Sequence, residues 1–205
     1  MTAFDSIDSA KPSIVTQAFN AHSLPQRHLA QTLQSLTQFH LSEFDQAFVM
    51  WGVLTAVAFS LGQFSPMSWT AQAILDAALT GAVISVTSGL TWEIATVAKL
   101  RWVIFLWAVL MSAGTVITVY GIFFSSSFIL SHLCLLWLGL CAVGYGAMAI
   151  GMRSCCFTTA CLVHLGAIAL LNPLSGWQFF GSGLVMASTL FFFSVVQWDM
   201  YEAAE

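Results

Sequence analysis

Asp76, His132 and His164 lie inside long apolar runs of this chain. An ionisable group at the centre of a bilayer costs about 2.5–3.5 kcal/mol even on the most lenient scale, so each is a candidate for work on a proton, an ion or a polar solute. Thr80 follows Asp76 one helical turn on, and Thr87 and Thr91 continue roughly along that face. A carboxylate above a ladder of hydroxyls suits an aqueous path for a cation or polar solute. The plainer reading is a hydrated acid four or five residues from the outer interface, or a charge at a helix N-terminus. His164, near the middle of its run, is the most interior ionisable group, suited to proton sensing or permeation. Its plain alternative is a neutral imidazole bonded to a backbone carbonyl or hydroxyl in a bundle core. The candidate polar path is Asp76, Thr80, Thr87 and His164.

A redox or metal centre would draw on His132, His164 and Cys161. A bis-histidine haem needs its two imidazoles at one depth, whereas at ~1.5 Å per residue these two differ by ~6 Å. Cys161 and His164 are three residues apart, a spacing that holds a soft metal only with help from another helix. None of the five cysteines forms a C-x-x-C pair, against a thiol oxidoreductase. Cys134 and Cys141 read as small apolar residues, and Cys155-Cys156 at the inner boundary as buried residues or acylation sites. Catalytic templates fail as well: there is no H-E-x-x-H, acidic pair or phosphate loop. Gly181-Ser182-Gly183 has Phe180 where intramembrane serine proteases carry glycine, and the last run has no histidine. The expectation is a non-enzyme without metal or cofactor.

The elements that must position these residues follow from composition. Of 205 residues 59% are hydrophobic and 7% charged, against roughly 25% charged in soluble domains. No water-facing surface can be built from that, and the lipid bilayer is the expected partner. A net charge of −4 with no basic cluster excludes a nucleic-acid partner. The leader Met1-Thr2-Ala3-Phe4-Asp5 has no basic region before an apolar run, so it is not read as a cleaved signal peptide. Six apolar runs, about 46–64, 72–95, 101–124, 128–152, 155–172 and 177–198, predict six transmembrane helices, because irregular backbone is too costly in lipid. Lys11, Arg27, Lys99, Arg101 and Arg153 all fall on one side of that arrangement. The positive-inside rule makes that side cytoplasmic, with both termini inside.

The fold expected is therefore all-α and polytopic: three helical hairpins over 46–200, after a cytoplasmic segment 1–45 with an amphipathic helix about 25–40. Leu29, Leu33 and Leu36 mark the apolar face of that helix, expected to pack against the bundle's own cytoplasmic face, with an interfacial helix lying on the cytoplasmic leaflet as the alternative. Ser42-Glu43-Phe44-Asp45 predicts a capping box opening the first span.

The first and last hairpins share a pattern that reads as an internal repeat, or, more plainly, as two hairpins that each place Pro and Trp at the interfaces. Ser65-Pro66-Met67-Ser68-Trp69 is matched by Asn172-Pro173-Leu174-Ser175-Gly176-Trp177, and Trp92-Glu93 by Trp198-Asp199. Three hairpins on about 200 residues, with Gly166-Ala167-Ile168-Ala169-Leu170-Leu171-Asn172-Pro173-Leu174 leading into Gly181-Ser182-Gly183, resemble the HdeD-type family of small six-span bacterial membrane proteins. The likeness covers the last 100 residues or so; spans one to three are poorer in glycine. It implies a stress-related membrane protein without a catalytic site.

Small-residue stripes predict close helix packing or oligomer contacts. They are Gly52, Ala56 and Ser60; Ala77, Gly81 and Ser85; Gly139, Ala142, Gly146 and Ala149; and Gly183 with Ala187. Scarce interior charge and abundant packing stripes favour an accessory, scaffold or stress-response component, in a homo-oligomer or a larger membrane complex. The alternative is a small channel or permease for an uncharged or weakly polar solute. A membrane haem or metal redox protein ranks third.

Overall fold

Ser42 opens the first helix as the capping box requires. Its Oγ accepts from the Asp45 amide at 3.2 Å, and the Asp45 carboxylate accepts from the Ser42 amide at 2.9 Å. The computed structural model describes residues 42–171 and 176–195. The amphipathic helix expected about 25–40, Lys11, Arg27, the Asn172-Pro173 turn and Trp198-Asp199 lie outside the described residues.

The described residues form α1 (Glu43–Phe64), α2 (Trp69–Val97), α3 (Arg101–Phe123), α4 (Ser127–Ser131), α5 (Leu133–Met152), α6 (Cys155–Leu171) and α7 (Gln178–Val195). Two boundaries differ from those expected. Ser68 caps α2 by accepting from the Ala71 amide at 3.3 Å, so this helix starts at Trp69, ahead of the hydrophobic run that marks it in the sequence. The fourth run is broken at His132, where the backbone leaves helical geometry between α4 and α5.

Neighbouring helices run antiparallel. Trp51 meets Thr87 and Ala58 meets Gln72 across α1 and α2. Trp107 meets Met148 and Trp137 meets Thr118 across α3 and α5. Phe48 meets Phe193 and Phe64 meets Trp177 across α1 and the α7 end. In chain order α1, α2, α3, α5, α6 and α7 each pack on the next, and α7 packs back on α1, closing a ring. Gln63 ties this closure: it donates to the Gly176 carbonyl at 2.8 Å and accepts from the Phe180 amide at 3.4 Å.

Glycine sets the tightest approaches. A Cβ on Gly183 of α7 would come 2.5 Å from the Phe59 Cβ on α1, and one on Gly52 would come 2.9 Å from the Phe191 ring. Between α3 and α5, tryptophans fill the space glycines leave: Trp102 at Gly151, Trp107 at Gly144 and Trp137 at Gly114.

Five of the helices, α1, α2, α3, α5 and α7, are long and apolar enough to cross a membrane. Large apolar side chains such as Phe105, Ile150, Leu162 and Leu170 project outward. In water such a surface would drive aggregation; in lipid it is the ordinary contact. The chain is thus an all-helical membrane protein. α6, with 17 residues, is the shorter apolar helix of the ring. The described cations, Lys99 and Arg153 in turns and Arg101 at the start of α3, stand at one end, here termed the basic end. There Arg101 lies 4.9 Å over the Trp92 ring and donates to Thr96 Oγ1 at 2.7 Å. The turns at the other end carry no formal charge among the described residues.

Candidate functional site: two cavities inside the ring

The inner face of α2 carries Gln72, Thr80, Thr87 and Thr91, all buried, with half-buried Asp76 between the first two. Successive polar residues about one turn apart on a helix share a face, and here that face lines the interior. Two cavities open along it. The smaller, about 90 Å³, lies toward the uncharged end and is bounded by Asp76, Gln72, Thr80, Thr115 and a set of aromatic rings. The larger, about 340 Å³, lies toward the basic end, lined by Thr87 and Thr91 with mainly apolar side chains of α1, α3, α5 and α7.

Trp51, Thr55, Met111 and Met186 line both cavities and form the partition between them. The Trp51 indole is fixed there by donating to Thr87 Oγ1 at 3.3 Å. Thr87 in turn donates to the Val83 carbonyl at 2.7 Å, so its hydroxyl is held as an acceptor facing α1. The two methionines complete the partition with flexible thioethers, side chains that re-pack at low cost.

Asp76 stands seven residues beyond the start of α2, about 10 Å down the helix at 1.5 Å per residue. It is deeper than the apolar run suggests because Ser68 starts the helix earlier. Its Oδ1 is sealed and has no hydrogen-bond partner, and Gln72 one turn away is its polar neighbour.

His164 lines neither cavity. It is 0% exposed on α6, its ring 5.1 Å from that of Tyr145, which itself lines the larger cavity. Its Nδ1 donates to the Ala160 carbonyl at 2.8 Å, leaving Nε2 without a partner. The four residues of the candidate polar path are therefore divided: Asp76 and Thr80 in one cavity, Thr87 in the other, His164 behind a wall.

The redox set is likewise separated by environment. His132 is exposed at the α4–α5 break, its Nδ1 on the Phe128 carbonyl at 2.8 Å. Cys161 packs toward Gly146. Among the described residues no three His, Cys, Asp or Glu side chains gather closely enough to hold a metal ion.

Sequence reasoning missed the partition and the Thr115–Thr118 face of α3. The signal available was Trp51 itself, the residue before Gly52 and deep enough in its span to be more than an interfacial anchor. No family model matches the chain, and neither a curated protein nor a solved structure shows significant similarity to it.

Proposed function

We propose that this chain is a six-span, non-enzymatic membrane permease for a small, weakly polar solute, which passes along the inside of the helix ring. The observation that carries this reading is the pair of cavities stacked along α2 on either side of the partition formed by Trp51, Thr55, Met111 and Met186. An accessory or scaffold role, which composition alone favours, needs no interior space. A solute path needs space on both sides of a barrier that can re-pack.

In this reading α6 crosses as well: 17 residues stand at the short limit of about 17–25 for a spanning helix. The basic end faces the cytoplasm, in keeping with Lys99, Arg101 and Arg153 on that side. The wall of the larger cavity is mainly apolar, with Asp45, Thr87 and Thr91 among its few polar side chains, a lining that suits a solute with little polar surface.

The test is solute flux into proteoliposomes, followed by stopped-flow light scattering with glycerol, urea and acetamide. Vesicles holding the wild-type chain should admit at least one of these faster than protein-free vesicles, and Trp51→Ala, which removes the largest side chain of the partition, should raise that flux several-fold. Flux equal to protein-free vesicles for both proteins, with both shown folded by circular dichroism, rules out the permease.

A further inference from the structure

We infer that the smaller cavity is a binding site for a small alkylammonium ion, with Asp76 as its counter-charge and aromatic faces as its walls. The inference goes beyond the permease reading and does not rest on it: the site is a place where a cation binds, whatever solute crosses the ring.

Three observations converge on a cation with N–H donors. The first is charge. Asp76 is the acidic side chain on the cavity wall, and one of its oxygens is sealed without a hydrogen-bond partner. The described cations stand at the basic end of the ring, whereas Asp76 lies in the half toward the uncharged end. Gln72 offers this carboxylate a donor but no charge, and a bound ammonium supplies the positive partner that a carboxylate inside a membrane bundle calls for.

The second is the polarity of the hydrogen-bonding groups. Thr115 Oγ1 donates to the Met111 carbonyl and Thr118 Oγ1 to the Gly114 carbonyl, each at 2.8 Å. An N–H of Gln72 is held by the Ala58 carbonyl at 3.2 Å, and the indole N–H groups of Trp51 and Trp137 by Thr87 and Thr118. With these protons engaged, the threonine oxygens present lone pairs. Beside Asp76, the wall thus offers acceptors at Thr115 and Thr118, to which an ammonium N–H can donate.

The third is the enclosure. Trp51, Phe59, Trp69, Trp137 and Phe179 line the same space, with Phe179 5.6 Å from Trp69 and 6.3 Å from Phe59 between ring centroids. Aromatic faces attract a desolvated organic cation by about 2 kcal/mol or more. They do much less for a sodium ion, which keeps its water. Volume sets the size: about 90 Å³ is about three times the ~30 Å³ a water occupies in the liquid, which suits a solute of a few heavy atoms.

The experiment titrates the full-length chain in nanodiscs with ethylammonium chloride, reading tryptophan fluorescence and calorimetric heat, with ethanol and sodium chloride as controls. Ethylammonium should saturate while the controls should not, and Asp76→Asn should weaken binding by about tenfold or more, as for loss of a charged hydrogen bond. Thr115→Val, which keeps the side-chain volume, should weaken it by a smaller factor. If Asp76→Asn fails to fold, Thr115→Val and the two controls decide. Ethanol or sodium binding as well as ethylammonium, a folded Asp76→Asn with wild-type affinity, or Thr115→Val unchanged where Asp76→Asn is lost to misfolding would each overturn the site. Ethylammonium binding without flux removes the permease and leaves the site. Glycerol flux with no ethylammonium binding removes the site and leaves the permease.

Discussion

The Trp51 indole N–H donates to Thr87 Oγ1 at 3.3 Å, joining α1 to α2 at the partition between two interior cavities. Removing the acceptor tests this joint with little change of volume. In Thr87→Val the indole N–H loses its partner, a loss of about 1–2 kcal/mol in stability. The ring then becomes free to leave the partition, so solute flux should rise while thermal stability falls. A stability loss with flux unchanged would show that the indole is held by packing alone.

Glycine substitutions should separate the close approaches from the open faces. Gly183→Ala and Gly144→Ala place a methyl 2.5 Å from the Phe59 Cβ and 2.8 Å from the Trp107 ring. Each should destabilise the bundle by about 1–3 kcal/mol, the usual cost of overpacking. Gly81 and Gly139 meet nothing within 4 Å, so alanine there should be neutral or stabilise by up to about 1 kcal/mol. Reversible unfolding in mixed detergent micelles gives all four values.

That contrast shows how far the sequence could be read. The apolar runs located the helices because lipid admits little else, and the capping box at Ser42 was legible because its residues are local. The packing stripes were legible only in part. Gly52 and Gly183 do face a neighbour closely, while Gly81 and Gly139, chosen by the same spacing, face none. Spacing gives a face of a helix; only the ring order says what stands opposite it. The tryptophan–glycine pairs between α3 and α5 were invisible for the same reason, since each joins residues far apart in the chain. The small residues that carry the resemblance to the HdeD-type family have a local explanation at Gly181 and Gly183, which let α7 approach Leu171 and Phe59. Asp76 reads most plainly from the sequence as a hydrated acid near the outer interface; the structure places it half-buried, at a depth set by a serine cap rather than by hydropathy.

Topology is open to direct labelling. With the other four cysteines replaced by serine or alanine, Cys155, exposed at the start of α6, should react with a membrane-impermeant maleimide from the cytoplasmic face only. A cysteine placed at Ser126, in the α3–α4 turn, should react only from the opposite face. A third at Gly176, just before α7, should side with Ser126 if α6 crosses. If Gly176→Cys sides with Cys155 instead, α6 does not span and the six-span arrangement falls.

His164 offers the sharpest separation of a structural role from a passage role. A carbonyl only accepts, so the bond to Ala160 places the proton on Nδ1, and in the neutral ring Nε2 holds a bare lone pair with no partner. That arrangement invites a proton-handling role, yet Tyr145 stands between the ring and the larger cavity, and the imidazole is 0% exposed. Truncation in His164→Ala should leave a hole between α5 and α6 and cost about 2–4 kcal/mol, as for other buried side chains of that size. His164→Leu keeps most of the volume and removes the unpaired nitrogen, so it should cost less and fold well enough to assay. Flux and ethylammonium affinity in His164→Leu should match the wild type. A loss of flux in that variant, with its melting temperature preserved, would place the imidazole on the path and require Tyr145 to move aside during transport.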